Sequence, residues 1–455
     1  MIKVDDNLNN YSKLFNYYFF TIITAIIIVF PKINILPIPG YWQGVQLPDI
    51  LLLFFLLFLI LNSNNLKINS NLPFTNLYIF LFYFIFISFL GGQKTTNVHG
   101  VLSFNTSIII LIRFFEYLVF TVLCLNYFNN KKIILVFCKF FIIINCIFAI
   151  LQEFNLIGYV NSRGFYPPGD PGVGGRSMGI TGGPWELGAT TSLAFFSIYI
   201  LSKTNRIQIL FYLVLTVISL FLAETKGNIV AFLFCLPLLV LNKKNIIFLG
   251  IISLIFFLYI FANFLSVPYF IILIILFLLS LYLINKSISE VIIYILGILF
   301  ILYFFDAYLS EIYFIKMLMQ LDLFYLLKTT FNFIVYEITP STNDTPNLHL
   351  YYSFILRLNF WLPMFVEFKS NTFNWLFGMG NQYLYYESMI FRIILSYGLI
   401  GTLLILFLIR KIPVFLLFYS LLAGFTFDLF FSSKVFFMGC ILMLSINYFK
   451  NHKIN

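Results

Sequence analysis

Apolar runs long enough to form membrane helices recur along this chain, separated by turns of a few polar residues, and they constrain the fold more than any motif does. A helical span needs roughly 20 apolar residues to cross the hydrocarbon core, and inside that core only a helix satisfies its own backbone groups. The runs fall near residues 14–30, 49–62, 75–90, 107–126, 133–156, 186–202, 207–223, 227–241, 245–264, 268–284, 290–305, 388–409, 413–431 and 435–449. That reading predicts an all-α, polytopic membrane bundle of about 14 spans, or 12 if the short runs 49–62 and 227–241 are re-entrant. Composition agrees: 61% of the residues are hydrophobic and only 10% charged, far outside the range of soluble domains. The first run, Leu14 to Phe30, lacks a small-residue cleavage site after it and reads as a retained span.

Loop charges orient the bundle. With both termini cytoplasmic, the inner turns carry Lys3, Lys13, Lys67, Lys131, Lys132, Lys203, Arg206, Lys243, Lys244, Lys286, Arg410, Lys411, Lys450 and Lys453. The short outer turns carry only Lys32, Lys94, Lys226 and Lys434, the asymmetry that the positive-inside rule requires. The net charge of +10 is therefore mostly topological, and its scatter without a continuous basic face argues against nucleic acid as a partner. The expected location is a bacterial cytoplasmic membrane, with one membrane-embedded domain over residues 1–455 and extracytoplasmic loops at about 157–185 and 306–387.

The first of those loops is a polar island. Gly158 to Ser192 reads GYVNSRGFYPPGDPGVGGRSMGITGGPWELGATTS, with ten glycines, Arg163 and Arg176, and the acids Asp170 and Glu186. Its prolines and glycines exclude a regular helix until Pro184, which suits the first turn of the next one. The second loop holds Glu311–Ile338 and Tyr351–Phe368, two stretches with apolar residues at helical spacing around the turn-forming STNDTPN, predicted as helices lying on the outer leaflet. Both loops concentrate cations against the sorting bias: Arg163, Arg176, Lys316, Lys328, Arg357 and Lys369.

Such cations fit a phosphate-bearing ligand at a membrane surface. A guanidinium takes phosphate oxygens in bidentate fashion, and a Gly-rich loop entering a helix offers backbone N–H groups. The five cysteines lie inside apolar runs and the three histidines are dispersed, so neither a disulfide nor a metal or other cofactor is expected. His349 reads as a solvated loop residue, and Trp185, Trp361 and Trp375 lie beside the loops as either belt residues or sugar platforms. Within the bundle, Arg113 and Glu116 are three apart on one face and are expected to pair; Lys139 and Asp428 have no assigned role.

At these residues the chain resembles the O-antigen polymerase and ligase superfamily. Arg163 and Gly174 have the Arg-to-Gly spacing of Wzy-type polymerase loops, and GGRSMGITGGPWELG resembles the family's Arg-x-x-Gly segment. FLAETKGNIVAFLF is similar to a family span start, with Lys226 at the usual Arg place. ESMIFRIILSYGLIGTLL keeps Ser388, Gly398, Gly401 and Thr402 of the ligase pattern, but Glu387 replaces its His, as in many polymerases. The resemblance implies metal-independent glycosyl transfer outside the cytoplasm between a donor and an acceptor that are both polyprenyl-diphosphate-linked oligosaccharides. Polyprenyl diphosphate leaves, and a flippase and a chain-length regulator are the implied partners besides membrane lipid. Arg163, Arg176, Arg357, Lys226 and Arg392 are then expected at the diphosphate, with Glu387 or Glu186 as the base. Structural readings stand beside these: Glu186 as a helix cap, Glu387 orienting Arg392, Arg357 paired with Glu367, and either loop arginine paired with Asp170. Ligation of glycan to lipid A core and lipid-linked oligosaccharide flipping are the alternatives.

Overall fold

The computed structural model describes residues 17–38, 41–61, 83, 104–128, 130–161, 164–168, 176–202, 206–240, 323–340, 348–380, 388–409, 412–426 and 432–451. These residues are mostly helical and form 13 helices. In chain order they are α1 (Tyr17–Val29), α2 (Leu47–Leu61), α3 (Phe104–Tyr127), α4 (Lys131–Glu153), α5 (Pro184–Leu201), α6 (Arg206–Leu222), α7 (Lys226–Val240), α8 (Leu323–Tyr336), α9 (Leu348–Ser370), α10 (Thr372–Phe377), α11 (Met389–Ile409), α12 (Val414–Thr426) and α13 (Ser433–Asn451). The apolar runs that fall on described residues are helical, with ends within a few residues of the predicted ones. Runs 75–90, 245–264, 268–284 and 290–305 lie outside the described residues, apart from Tyr83. Lys131–Glu153 and Met389–Phe407 are long and apolar enough to cross a membrane, and five other apolar helices are shorter.

The expectation of an all-α chain needs one correction. Two antiparallel hairpins are present: β1 (Asn34–Ile38) with β2 (Tyr41–Gln46), and β3 (Tyr159–Asn161) with β4 (Gly164–Tyr166). Both occupy turns where alternating β-branched, aromatic and small residues fit an extended chain better than a helix. Gly164, at φ +137°, closes the second hairpin in a conformation that other residues rarely adopt.

Two compact units result, one from the described residues up to Ile229 together with those from Leu422 onward, the other from those between Val230 and Leu421. In the first unit α5 is the core: every residue from Glu186 to Leu201 is buried, and α4, α6 and α13 pack around it. A helix buried on all sides has no polar face to give to water. Its hydroxyls are satisfied within the helix: Thr190, Thr191 and Ser192 donate to the carbonyls of Glu186, Leu187 and Gly188 at 2.6–2.7 Å. Elsewhere in this unit Phe120 stacks on Phe437 and Tyr117 on Phe436, fixing α3 alongside α13.

In the second unit Phe333 of α8 and Leu358 and Trp361 of α9 form a core to which Phe391 of α11 is added. The predicted helices of the long loop are present as α8 and α9; residues 311–322 and the STNDTPN turn lie outside the described residues. α11 is interrupted. Gly398 has φ +62° and ψ −167°, and there the carbonyls of Leu395 and Ser396 accept hydrogen bonds from the amides of Met379 and Gly380 at 2.8 and 2.9 Å. Gly378, at φ +84°, lies so near that a β-carbon on either glycine would strike the other segment's backbone.

A buried charged latch under a glycine-rich loop

The part of the island from Arg176 to Gly183 folds as a loop pinned to the end of α4. Asn145, Ala149, Gln152 and Glu153 share one face of that helix, at the i, i+4, i+7 and i+8 positions. The side-chain amide of Gln152 accepts from the amides of Met178 and Gly179 at 2.9 and 2.8 Å and donates to the carbonyl of Gly179 at 2.9 Å. Asn145 accepts from Ile180 N–H at 3.2 Å. The Ser177 hydroxyl lies between the Ala149 carbonyl at 3.0 Å and the Glu153 carboxylate at 3.2 Å, and its amide bonds to the Leu222 carbonyl. Thr181 N–H reaches the Met178 carbonyl and Gly182 N–H the Glu186 carboxylate. Each amide from Ser177 to Gly182 thus has a protein acceptor, so this part of the loop, contrary to expectation, does not offer its backbone N–H groups to an anion; residues 169–175 lie outside the described residues. Burial dictates the outcome: Ser177 to Thr181 are all buried, and an unpaired amide there costs about 1–3 kcal/mol. Gly179 is the position where glycine is needed, since it has φ +57° and a β-carbon there would press on Asn145 Oδ1.

Beneath the loop lies a cluster of charges. Glu186, at the third helical position of α5, is only 1% exposed. Its Oε2 accepts at 2.8 Å from the N–H of Gly182, the residue before the N-cap Gly183, and its charge is favourably placed at the positive end of the helix. Its Oε1 pairs with Lys32 and accepts from the Ser432 hydroxyl at 2.6 Å. Lys434, equally buried, donates to the carbonyl of Ile180 at 2.9 Å. The carboxylate attracts both lysines, and they repel each other across it. Gly182 leaves room for this arrangement, because a β-carbon there would meet the Lys32 stem at 2.7 Å and Glu186 Oε2 at 2.9 Å.

Lys32 leads directly into the β1–β2 hairpin, and the returning strand, whose Gln46 pairs with Asn34, is held by a second ionic group. Arg113 of α3 pairs with Asp49 and, at 3.1 Å, with Glu116, and it donates to the Gly44 carbonyl at 3.3 Å. The predicted Arg113–Glu116 pair is present, with Asp49 as a third member. Asp49 also accepts from Gln46 N–H at 2.7 Å, capping the start of α2.

The predicted site residues are distributed as follows. Arg176 is half-buried where the pinned loop begins, next to Ser177. Glu186 is the hub just described. Lys226 is the first residue of α7, between Thr225 and Asn228, which clasp the start of α5: Asn228 donates to the Trp185 carbonyl at 2.8 Å, and both crowd Gly188. These three are gathered at one end of the first unit. Arg357 and Arg392 belong to the second, Arg357 half-buried one turn before Trp361, Arg392 buried and adjacent to Phe391, less than two turns before the break at Gly398. Arg163 and Glu387 lie outside the described residues, as do Asp170 and Asp428.

Two other expectations change, those for Trp361 and His349. Trp361 is 1% exposed and stacks on Phe391 at 4.1 Å, so it is a core residue and neither a belt residue nor a sugar platform. Trp375 is exposed beside Phe368, with ring centroids 5.8 Å apart. His349 belongs to the first turn of α9 and not to a loop. Lys139 donates to Gln208 at 2.9 Å and lies over the Tyr212 ring. Lys32, Ser432, Lys434, Asn145, Gln152 and Asp49 escaped the sequence reading. Lys32 and Lys434 did carry a signal, being two of the few cations on the side from which sorting removes them.

Comparison with known proteins finds no matching family model, no matching curated protein and no matching solved structure.

Proposed function

We propose that this chain is a multi-pass membrane glycosyltransferase that polymerises polyprenyl-diphosphate-linked oligosaccharide repeat units into a surface polysaccharide. The observation that carries the reading is the loop from Arg176 to Gly183: an irregular, fully hydrogen-bonded segment at the head of a buried apolar helix, with a half-buried arginine at its entrance. Irregular backbone inside an apolar bundle persists only where its polar groups are satisfied, and it marks places where a ligand is handled. A second interruption, at Gly398 in α11, lies close after the buried Arg392.

Two further features support the reading. The residues assigned by loop charge to the outer face, Lys32, Arg176, Lys226 and Ser432 to Lys434, come together at one end of the first unit. The motif residues Gly398 and Thr402 have defined structural parts, since Gly398 breaks α11 and Thr402 donates back to its carbonyl at 2.7 Å. In the proposed reaction a hydroxyl of one repeat unit attacks the anomeric carbon of the other glycan, its proton passes to a base, and the glycosyl–phosphate bond breaks to release polyprenyl diphosphate. Arg176, Arg163 and Lys226, all of the first unit, are assigned to the diphosphate, where cations hold a developing charge without a metal. Glu387 is assigned as the base. About 14 spans, cytoplasmic termini and an outward-facing site complete the proposal.

The test is repeat-unit polymerisation in cells lacking their own polymerase. Expression of the wild-type chain with its cognate repeat unit is expected to convert single-repeat surface glycan into a ladder. Arg176→Ala at equal membrane abundance is expected to shorten that ladder or abolish it, and wild-type length and yield in that variant would sink the assignment.

A further inference from the structure

Glu186 has the position of a catalytic carboxylate but not the surroundings of one. A carboxylate offers about four lone-pair directions, and three are filled by Lys32, Ser432 and Gly182 N–H. A general base needs an oxygen within about 2.6–3.2 Å of the proton it removes, whereas Glu186 is 1% exposed beneath the loop. What its contacts do is join distant parts of the chain. Lys32 lies 154 positions before it and Ser432 246 positions after it, while Lys434 takes the Ile180 carbonyl 254 positions away. The loop is thereby held on its α4 side by the amides of Asn145 and Gln152 and on its α13 side by charge. Removing the carboxylate would leave Lys32 and Gly182 N–H without their shared acceptor and Lys434 without the nearby acid in a buried space, and so loosen the loop on its α13 side.

We infer that Glu186, Lys32, Ser432 and Lys434 form an electrostatic latch that fixes the Arg176–Gly183 loop, and that Glu186 is a positioning residue acting through Arg176. The second half of the inference rests on the proposed glycosyl transfer; the first half does not. The latch predicts slow amide exchange from Ser177 to Gly182, because each of these amides is bonded and all but Gly182 belong to buried residues. It also predicts that weakening it misplaces Arg176 and so raises the donor KM while the shape of the pH profile is kept.

The experiment pairs hydrogen exchange by mass spectrometry on the full chain in lipid nanodiscs with kinetics on a defined lipid-linked repeat unit. Glu186→Gln and Lys434→Met are expected to speed exchange over residues 177–182 at least tenfold and to raise the donor KM about tenfold, with wild-type dependence of kcat on pH. Ser432→Ala, which removes one hydroxyl, is expected to give a threefold effect in both readouts and serves where the charge variants fail to fold. Unchanged exchange in these variants would overturn the latch. A fall in kcat of about 10²-fold or more in Glu186→Gln, with the donor KM unchanged, would make Glu186 the base and overturn its positioning role. Should the wild-type chain make no polymer from any lipid-linked repeat, the glycosyl-transfer reading falls, and exchange alone decides the latch.

Discussion

Lys434 Nζ and the carbonyl of Ile180 are 2.9 Å apart, a hydrogen bond between an ammonium and a loop peptide that are both buried. The bond ties the first turn of α13 to the middle of the pinned loop, adding to the hydrogen bonds from Asn145 and Gln152 that hold the loop on its other side. Buried charge is expensive to strand. In this chain, therefore, the informative mutations are those that remove one partner and leave the other.

Arg113 provides the clearest case. Arg113→Met leaves Asp49 and Glu116 facing each other, and stranding a buried partner costs about 3–5 kcal/mol. Thermal unfolding in detergent is expected to show a large drop in Tm. Adding Asp49→Asn and Glu116→Gln is expected to restore most of it, since neutralising a whole ionic group is often tolerated.

Gln152→Leu keeps the bulk of the side chain and removes its amide. The amides of Met178 and Gly179 and the Gly179 carbonyl then lose their partners, at about 1–3 kcal/mol for each group left unsatisfied. The same unfolding measurement is expected to report a loss of roughly 3 kcal/mol, and faster proteolysis around residues 159–168 should accompany it. Gln152→Glu is expected to be destabilising as well, because a carboxylate cannot donate to the Gly179 carbonyl.

Gly398→Ala combines backbone strain with collision. Positive φ with ψ near 180° is essentially a glycine conformation and costs an alanine roughly 1–3 kcal/mol, and its β-carbon would strike the Gly378 amide. Gly439→Ala is the internal control. Its β-carbon would meet nothing within 4 Å, and it lies inside α13, where alanine is preferred to glycine by up to about 1 kcal/mol. Unfolding is expected at a lower temperature for the first variant and at an equal or higher one for the second.

The two tryptophans of the long loop separate packing from recognition. Trp361→Ala opens the core of the second unit and is expected to cost about 3–5 kcal/mol in the unfolding assay. Trp375, 51% exposed, is expected to change stability by less than about 1 kcal/mol when replaced by alanine. Shortened polymer from a stable Trp375→Ala variant would make that ring a sugar contact.

The helices were legible because apolar length is a local property: a run such as Lys131 to Glu153 declares itself without reference to any other part of the chain. The island was legible as a loop for the same reason, through Pro167, Pro168, Pro171 and its glycines. Its filling was not. Asn145 and Gln152 lie inside an apolar run, and nothing near them in sequence names the amides they hold 26 to 35 positions later. Gly398 could be read as part of a motif, but its physical reason, the approach of Gly378, is a contact between segments. Glu186 could be read as an acid in the first turn of a helix, which it is, but its bond goes to the loop amide of Gly182, and its lysines could be found only by folding. The site residues assigned by resemblance divide between the two units, and sequence spacing carries no information about such distances.

The burial of α5 sets a problem of timing. Ser432 follows Glu186 by 246 positions, an interval of roughly 10–50 s at a synthesis rate of about 5–20 residues per second. Throughout that interval α5 has α4 and α6 beside it but lacks α13, and Glu186 has Lys32 but neither Ser432 nor the neighbouring Lys434. Until α13 arrives, therefore, one side of α5 lacks the helix that covers it in the finished fold, and the earlier helices of the first unit must wait with that face open.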